Sequence, residues 1–261
     1  MIRALWTSAS ALTSGQAAVD AIGNNIANVS TTGYKKGVVQ FKDLFYQRAN
    51  ELGVFVPDSH PQTGISIGTG VRAAGAQRMY DQGRLEQTDS SLDLAIDGEG
   101  FFKVLLADGT PAYTRDGSFK VNAQGELVTA QGYKLDPAVT IPPGARDITI
   151  GADGMVRGIV PGSDTIQQIG SISLYKAANI NGLLGLGENM YETTSASGTM
   201  YKVTPSGDGV GTIKQGFLEG SNVDLSDEMT QLVIAQRAFQ INARALSNAD
   251  QMMQVAIQIR G

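Results

Sequence analysis

Ten positions near the C-terminus set the strongest limit on what this chain can fold into. Leu225, Met229, Leu232, Gln236, Phe239, Ala243, Leu246, Asp250, Met253 and Ile257 hold strict 4-3 spacing, and eight of the ten are apolar. A heptad pattern sustained this far calls for a long helix with one apolar seam, as in a coiled coil. Asp224, Asp227 and Glu228 load the start of that helix with negative charge, and Arg260 stands at its far end. Both placements suit the helix dipole.

The N-terminal segment also reads as a helix. Apolar residues fall at Ile2, Leu5, Ala9 and Leu12, and Gln16 and Val19 continue the 3-4 spacing. The stripe then drifts to Ile22, Ile26 and Val29. Gly33 is placed as a helix stop, and Lys35 and Lys36 suit a helix C-terminus.

Charge sets this segment apart. Residues 1–32 hold only two charged side chains, Arg3 and Asp20. A solvated helix of that length would carry about eight at average composition. Its many Thr, Ser, Gln and Asn residues make it too polar for a bilayer. A helix that avoids both charge and strong hydrophobicity suits close packing by protein on several sides. One helix of the same chain cannot cover all of it, so burial between subunits is expected.

Asparagine is a poor helix-interior residue, because its side chain competes for backbone hydrogen bonds. Yet Asn24, Asn25 and Asn28 cluster at the helix end. A buried asparagine finds partners only in the correct alignment, and so can fix register. Asn24 and Asn28 are four apart and share a face, while Asn25 points elsewhere. Fraying and capping by Asn28 and Ser30–Thr32 is the alternative reading. The expected assembly surface combines these asparagines with Leu5, Leu12, Val19, Ile22 and Ile26. From the C-terminal segment it takes Leu225, Met229, Leu232, Gln236, Phe239, Leu246, Met253 and Ile257.

The middle of the chain changes character. Asp-Gly recurs at 97–98, 108–109, 116–117, 153–154 and 208–209, a hairpin signal between alternating apolar runs. FFKVLL (101–106), GSFKV (117–121), GELVT (125–129) and SISLYK (171–176) read as short strands. The stretch from Tyr46 to Thr69 has no clear period and is long for a structureless loop. The expected fold is α+β, with a mainly-β domain inserted between two helices that meet each other. The boundaries are 1–32 plus 224–261 for the terminal helical assembly domain. Residues 33–70 plus 190–223 form a connecting region, and 71–189 the β-rich outer domain.

Chemistry finds little support. The chain has no cysteine and one histidine, His60, which excludes Cys/His zinc sites, disulfides and cysteine nucleophiles. His60 lies in a Pro-bounded loop and reads as an exposed loop residue. Asp97 and Glu99 flank a turn glycine, which turn chemistry explains without catalysis. The Gly-rich pieces at 67–75 and 182–190 fit no phosphate-binding fingerprint. Asn222-Val-Asp224-Leu-Ser226 lacks the glycine and the final glutamate of a calcium loop and reads as a helix cap. No metal, cofactor or catalytic residue is expected. A net charge of -5 gives no footprint for nucleic acid. No apolar run is long enough to span a membrane.

NNIANVSTTGYKK (24–36) resembles the N-terminal signature of bacterial flagellar basal-body rod and hook proteins. EGSNVDLSDEMTQLVIAQRAFQINARALSNADQMM (219–253) resembles their C-terminal signature, and adds Asn242 to the candidate assembly residues. IGTGVR, QGRLEQTDSSLDLAIDGEGFF and AYTRDGSFKVNAQGELVT look like segments of the family's distal rod members. The resemblance implies a non-enzymatic subunit that leaves the cell through the flagellar type III export apparatus without a cleaved signal. It implies a homo-oligomeric helical tube in the basal body, whose paired terminal helices surround the export channel. The implied partners are proximal rod, hook or hook-junction subunits, bushing rings and the rod cap. An extra segment after the first helix, here 46–69, is implied to stiffen the tube. Within the family, another rod or hook subunit is the alternative. Outside it, the alternative is an extracellular β-domain that binds or cleaves polysaccharide.

Overall fold

The computed structural model describes residues 2–48, 66–162, 165–207 and 209–260. Most of the 46–69 loop, and His60 with it, lies outside these residues. The chain divides into two compact units. The first comprises residues 1–26, 37–77 and 224–261; the second comprises 27–36 and 78–223. The connecting region expected over 33–70 and 190–223 is thus shared between them.

In the first unit, helix α1 spans Ile2–Ala27 and helix α2 spans Leu225–Arg260. Strand Gly37–Asp43 pairs with Val71–Arg78, and Gln47–Arg48 pairs antiparallel with Ser66–Ile67. The strand pair meets α1 through hydroxyl groups. Ser10 Oγ accepts from Val71 N at 3.4 Å and donates to the Thr7 carbonyl at 2.8 Å. Gly70 has φ +123°, and a Cβ there would stand 2.3 Å from Ser10 Oγ, so only glycine fits. Asp224 caps α2, its Oδ1 accepting from Ser226 N at 2.9 Å and Asp227 N at 3.3 Å.

Helix α1 stops earlier than the apolar stripe implied. Residues 28–33 are turns, and Lys35 and Lys36 are not at a helix end. Val29 continued the apolar pattern but not the helix, because local polar bonds compete there: Thr31 Oγ1 donates to Asn28 Oδ1 at 3.2 Å. Gly33 lies in the second unit with φ +67°, where its N–H donates to the Glu219 carbonyl at 2.7 Å.

The second unit is β throughout, apart from one 3-10 turn at Ile180–Gly182. Its largest sheet has seven strands, in the order Leu184–Gly187, Met190–Glu192, Pro111–Thr114, Phe102–Leu105, Lys134–Asp136, Leu127–Val128 and Lys120–Val121. A three-stranded antiparallel sheet follows from Arg146–Ile150, Met155–Ile159 and Ile166–Ser171. The Asp-Gly pairs at 108–109 and 153–154 do turn the chain between paired strands, with Gly109 at φ +81° and Gly154 at φ +77°. Those at 97–98 and 116–117 join strands that do not pair with each other.

Phe101 and Phe102 explain how one sheet serves two cores. Adjacent strand residues point to opposite faces. Phe102 enters the main cluster with Leu94, Ile96, Val104, Leu127 and Leu135, and meets Phe119 edge-on at 5.2 Å. Phe101 enters a smaller aromatic cluster with Tyr113, Tyr175 and Tyr191.

Candidate assembly surface

The surface is built from the two helices of the first unit. Asn25 is 2% exposed, and its side chain closes three bonds. Nδ2 donates to the Gly37 carbonyl at 2.9 Å and to Glu228 Oε2 at 3.2 Å, and Oδ1 accepts from Gly37 N at 2.9 Å. Glu228, also 2% exposed, stands in the first turn of α2. A second contact lies at Gly15, where a methyl group would sit 3.8 Å from Phe239 Cδ2. Moving back along α1 from Asn25 to Gly15 moves forward along α2 from Glu228 to Phe239. The helices run antiparallel at these points.

The covered positions on α2 form a stripe: Glu228, Leu232, Ala235, Phe239, Asn242, Leu246, Ala249 and Met253. This is 4-3 spacing, but not the register that apolarity indicated. Leu232, Phe239, Leu246 and Met253 are half-buried as the seam requires, and Ala243 also is. Leu225, Met229, Gln236, Asp250 and Ile257 are exposed. On α1, Ile22 and Asn25 are buried, and Leu5, Leu12, Val19, Ile26 and Asn28 are half-buried. Asn24 is exposed. Of the three asparagines, the one that was expected to point away from the shared face is the buried one.

Sequence reading missed a second apolar face. Ile234, Ile241 and Met252 on α2 are 61%, 66% and 55% exposed. Their spacings of seven and eleven are near-whole numbers of helical turns, so they share a face. That signal was present in the sequence, behind the stronger 4-3 pattern. A helix with one covered apolar stripe and a second exposed one has surface left to bury.

The carboxylates tested for catalysis are paired with separate lysines. Asp97 Oδ2 lies 2.7 Å from Lys214 Nζ, and Glu99 Oε2 lies 2.5 Å from Lys176 Nζ. Hydrogen bonds from Lys214 and then Gln82 hold the Asp97 carboxyl below its ordinary value, the wrong direction for a general acid. No metal-binding cluster of His, Cys, Asp or Glu occurs among the described residues. No helix among them is long and apolar enough to cross a membrane.

Three family models match along the chain. Residues 5–35 match "Flagella basal body rod protein", 95–158 match "Flagellar hook protein FlgE/F/G D1 domain", and 214–259 match "Flagellar basal body rod FlgEFG protein C-terminal". The flagellar basal-body rod protein FlgG of Buchnera aphidicola subsp. Schizaphis graminum (strain Sg) is 42% identical over 260 residues, 99% of this chain and 100% of the relative. This chain belongs to the flagellar rod and hook family. The FlgG protein of Borreliella burgdorferi is 41% identical over 263 residues, covering 100% of this chain and 99% of its own. A FlgF protein of the family, from Caulobacter vibrioides, is 33% identical over 247 residues, 93% of this chain and 91% of its own. Family members of this kind are structural, and the chain is a structural subunit rather than an enzyme. Both family signatures fall on the geometry above: Asn25 belongs to the N-terminal one and Glu228 to the C-terminal one.

Proposed function

We propose that this chain is the structural subunit of the flagellar distal rod. Copies of it assemble into a helical tube that encloses the export channel and carries torque from the motor to the hook. The antiparallel helices α1 and α2 pair within each subunit through Asn25–Glu228 and the stripe from Leu232 to Met253. The observation that carries the reading is the second apolar face of α2, at Ile234, Ile241 and Met252. Neighbouring copies bury it, together with Met229, Leu225 and the low-charge surface of α1. Assembly is heterologous, so the same patches repeat along a helix. The subunit reaches the envelope through the flagellar export apparatus with its N-terminus retained. It meets proximal rod, hook or hook-junction subunits, bushing rings and the rod cap.

Electron microscopy of basal bodies from source cells lacking this gene tests the reading. Short rods without a distal segment or hook are expected. Complete rods bearing hooks would overturn it.

A further inference from the structure

The chain passes between its two units four times, at 26/27, 36/37, 77/78 and 223/224. Just inside the second unit, three of the passing segments are tied to one another by two side chains from 219–222.

Glu219 is the first. It is fully buried, with its Oε1 2.6 Å from Lys35 Nζ and its Oε2 3.1 Å from Arg115 Nη1. Oε1 also accepts from Gly83 N at 3.0 Å. Lys35 Nζ, itself fully buried, donates on to the Asp81 carbonyl at 2.7 Å. Asn222 is the second. Its Oδ1 accepts from Lys36 N at 2.8 Å, and its Nδ2 donates to the carbonyls of Met79 at 2.8 Å and Asp81 at 3.2 Å. Met79 N closes the set by donating to the Lys36 carbonyl at 2.9 Å. Arg115 carries the tie inward: its Nη2 donates to the Gly98 carbonyl at 2.8 Å, beside the main core.

A buried carboxylate is tolerated only when its charge is met and its lone pairs are filled, and loss of one partner is strongly unfavourable. Asn222 spends both donors and its acceptor on backbone of the two other segments. The bonds therefore form together or fail together. We propose that Glu219 and Asn222 make a clamp that joins 33–36, 79–84 and 219–222 to the β core as one cooperative block, so that the helical unit can order or disorder without loosening the second unit. Its mechanical value, as the path by which force leaves the β unit, rests on the rod reading. Its structural content does not.

Hydrogen exchange on the isolated full-length chain tests this. The amides of Gly33, Lys36, Met79, Gly83 and Asn222 are expected to exchange together and as slowly as the sheet amide of Val104. Glu219→Gln should speed them by about a hundredfold or more, leaving Val104 protected. Asn222→Ala, which leaves the charges intact, should speed Lys36 and Met79 by about tenfold. It stands as the second arm should Glu219→Gln unfold the unit. Clamp amides exchanging at the rate of α1 and α2, or unmoved by Asn222→Ala, would overturn the proposal. Neither result bears on whether basal bodies lacking the gene lose their distal rod.

Discussion

Asn25 donates to Glu228 across 3.2 Å, joining two buried side chains 203 positions apart in the chain. The same amide also bonds both polar groups of Gly37, so one side chain aligns α1, the following strand and the first turn of α2.

Asn25→Ala should therefore cost more than an ordinary surface change. It leaves the Gly37 amide and carbonyl and the Glu228 carboxylate short of partners, each worth about 1–3 kcal/mol when buried. Urea titration followed by helical circular dichroism should show the loss. Asn24→Ala, at an exposed position, should change stability by no more than about 0.5 kcal/mol.

Ile241→Lys separates assembly from folding. Ile241 is 66% exposed, so the isolated subunit should keep its melting temperature to within a few degrees. Polymerisation should fail, because a buried lysine without a partner is costly. Leu232→Asp, on the covered stripe, should also block assembly while leaving the β-sheet signal of the second unit intact. Sedimentation of polymer and circular dichroism of monomer report the two effects independently.

Gly33→Ala should destabilise the second unit by more than about 1 kcal/mol. Its φ of +67° is unfavourable for alanine, and the new Cβ would lie 2.8 Å from Asp116 N, a backbone atom that cannot swing away. Thermal unfolding compared with Gly37→Ala is the check, since nothing stands within 4 Å of a Cβ at Gly37.

The helices were legible from the sequence because their spacing and charge are local properties. Four of the α2 seam positions, Leu232, Phe239, Leu246 and Met253, were legible for the same reason. The alternate positions were not. Apolarity favours Met229, yet the structure buries Glu228, because a carboxylate can go inside when an asparagine elsewhere meets it. Lys35 was misread in the same way: two lysines after a helix resemble dipole partners, and nothing local announces a glutamate at 219. Periodicity finds surfaces that are apolar on one element, but not polar pairs that close between distant ones.

Tyr80 gives the second unit an alkaline signature. It packs against Tyr191 at 5.5 Å and Phe101 at 6.1 Å. Burial, then the neighbouring Tyr191, pushes its phenol up to about 12 from 10.0, partly opposed by Arg78. The folded state thus holds the proton more tightly than the unfolded chain does. The resulting stability is complete below pH 10.0 and is lost as pH rises towards about 12. Tyr80→Phe should reduce the loss of stability across that window, measured by urea titration at each pH.

The chain enters and leaves its β unit through segments that are fastened side by side. Whatever is built beyond that fastening does not alter the spacing of the two ends. An exposed turn such as Asp108–Gly109 could receive an inserted peptide, or the sheet could gain strands, with α1 and α2 keeping their register. Such an arrangement lets the outside of the subunit diverge freely while its ends stay under constant selection.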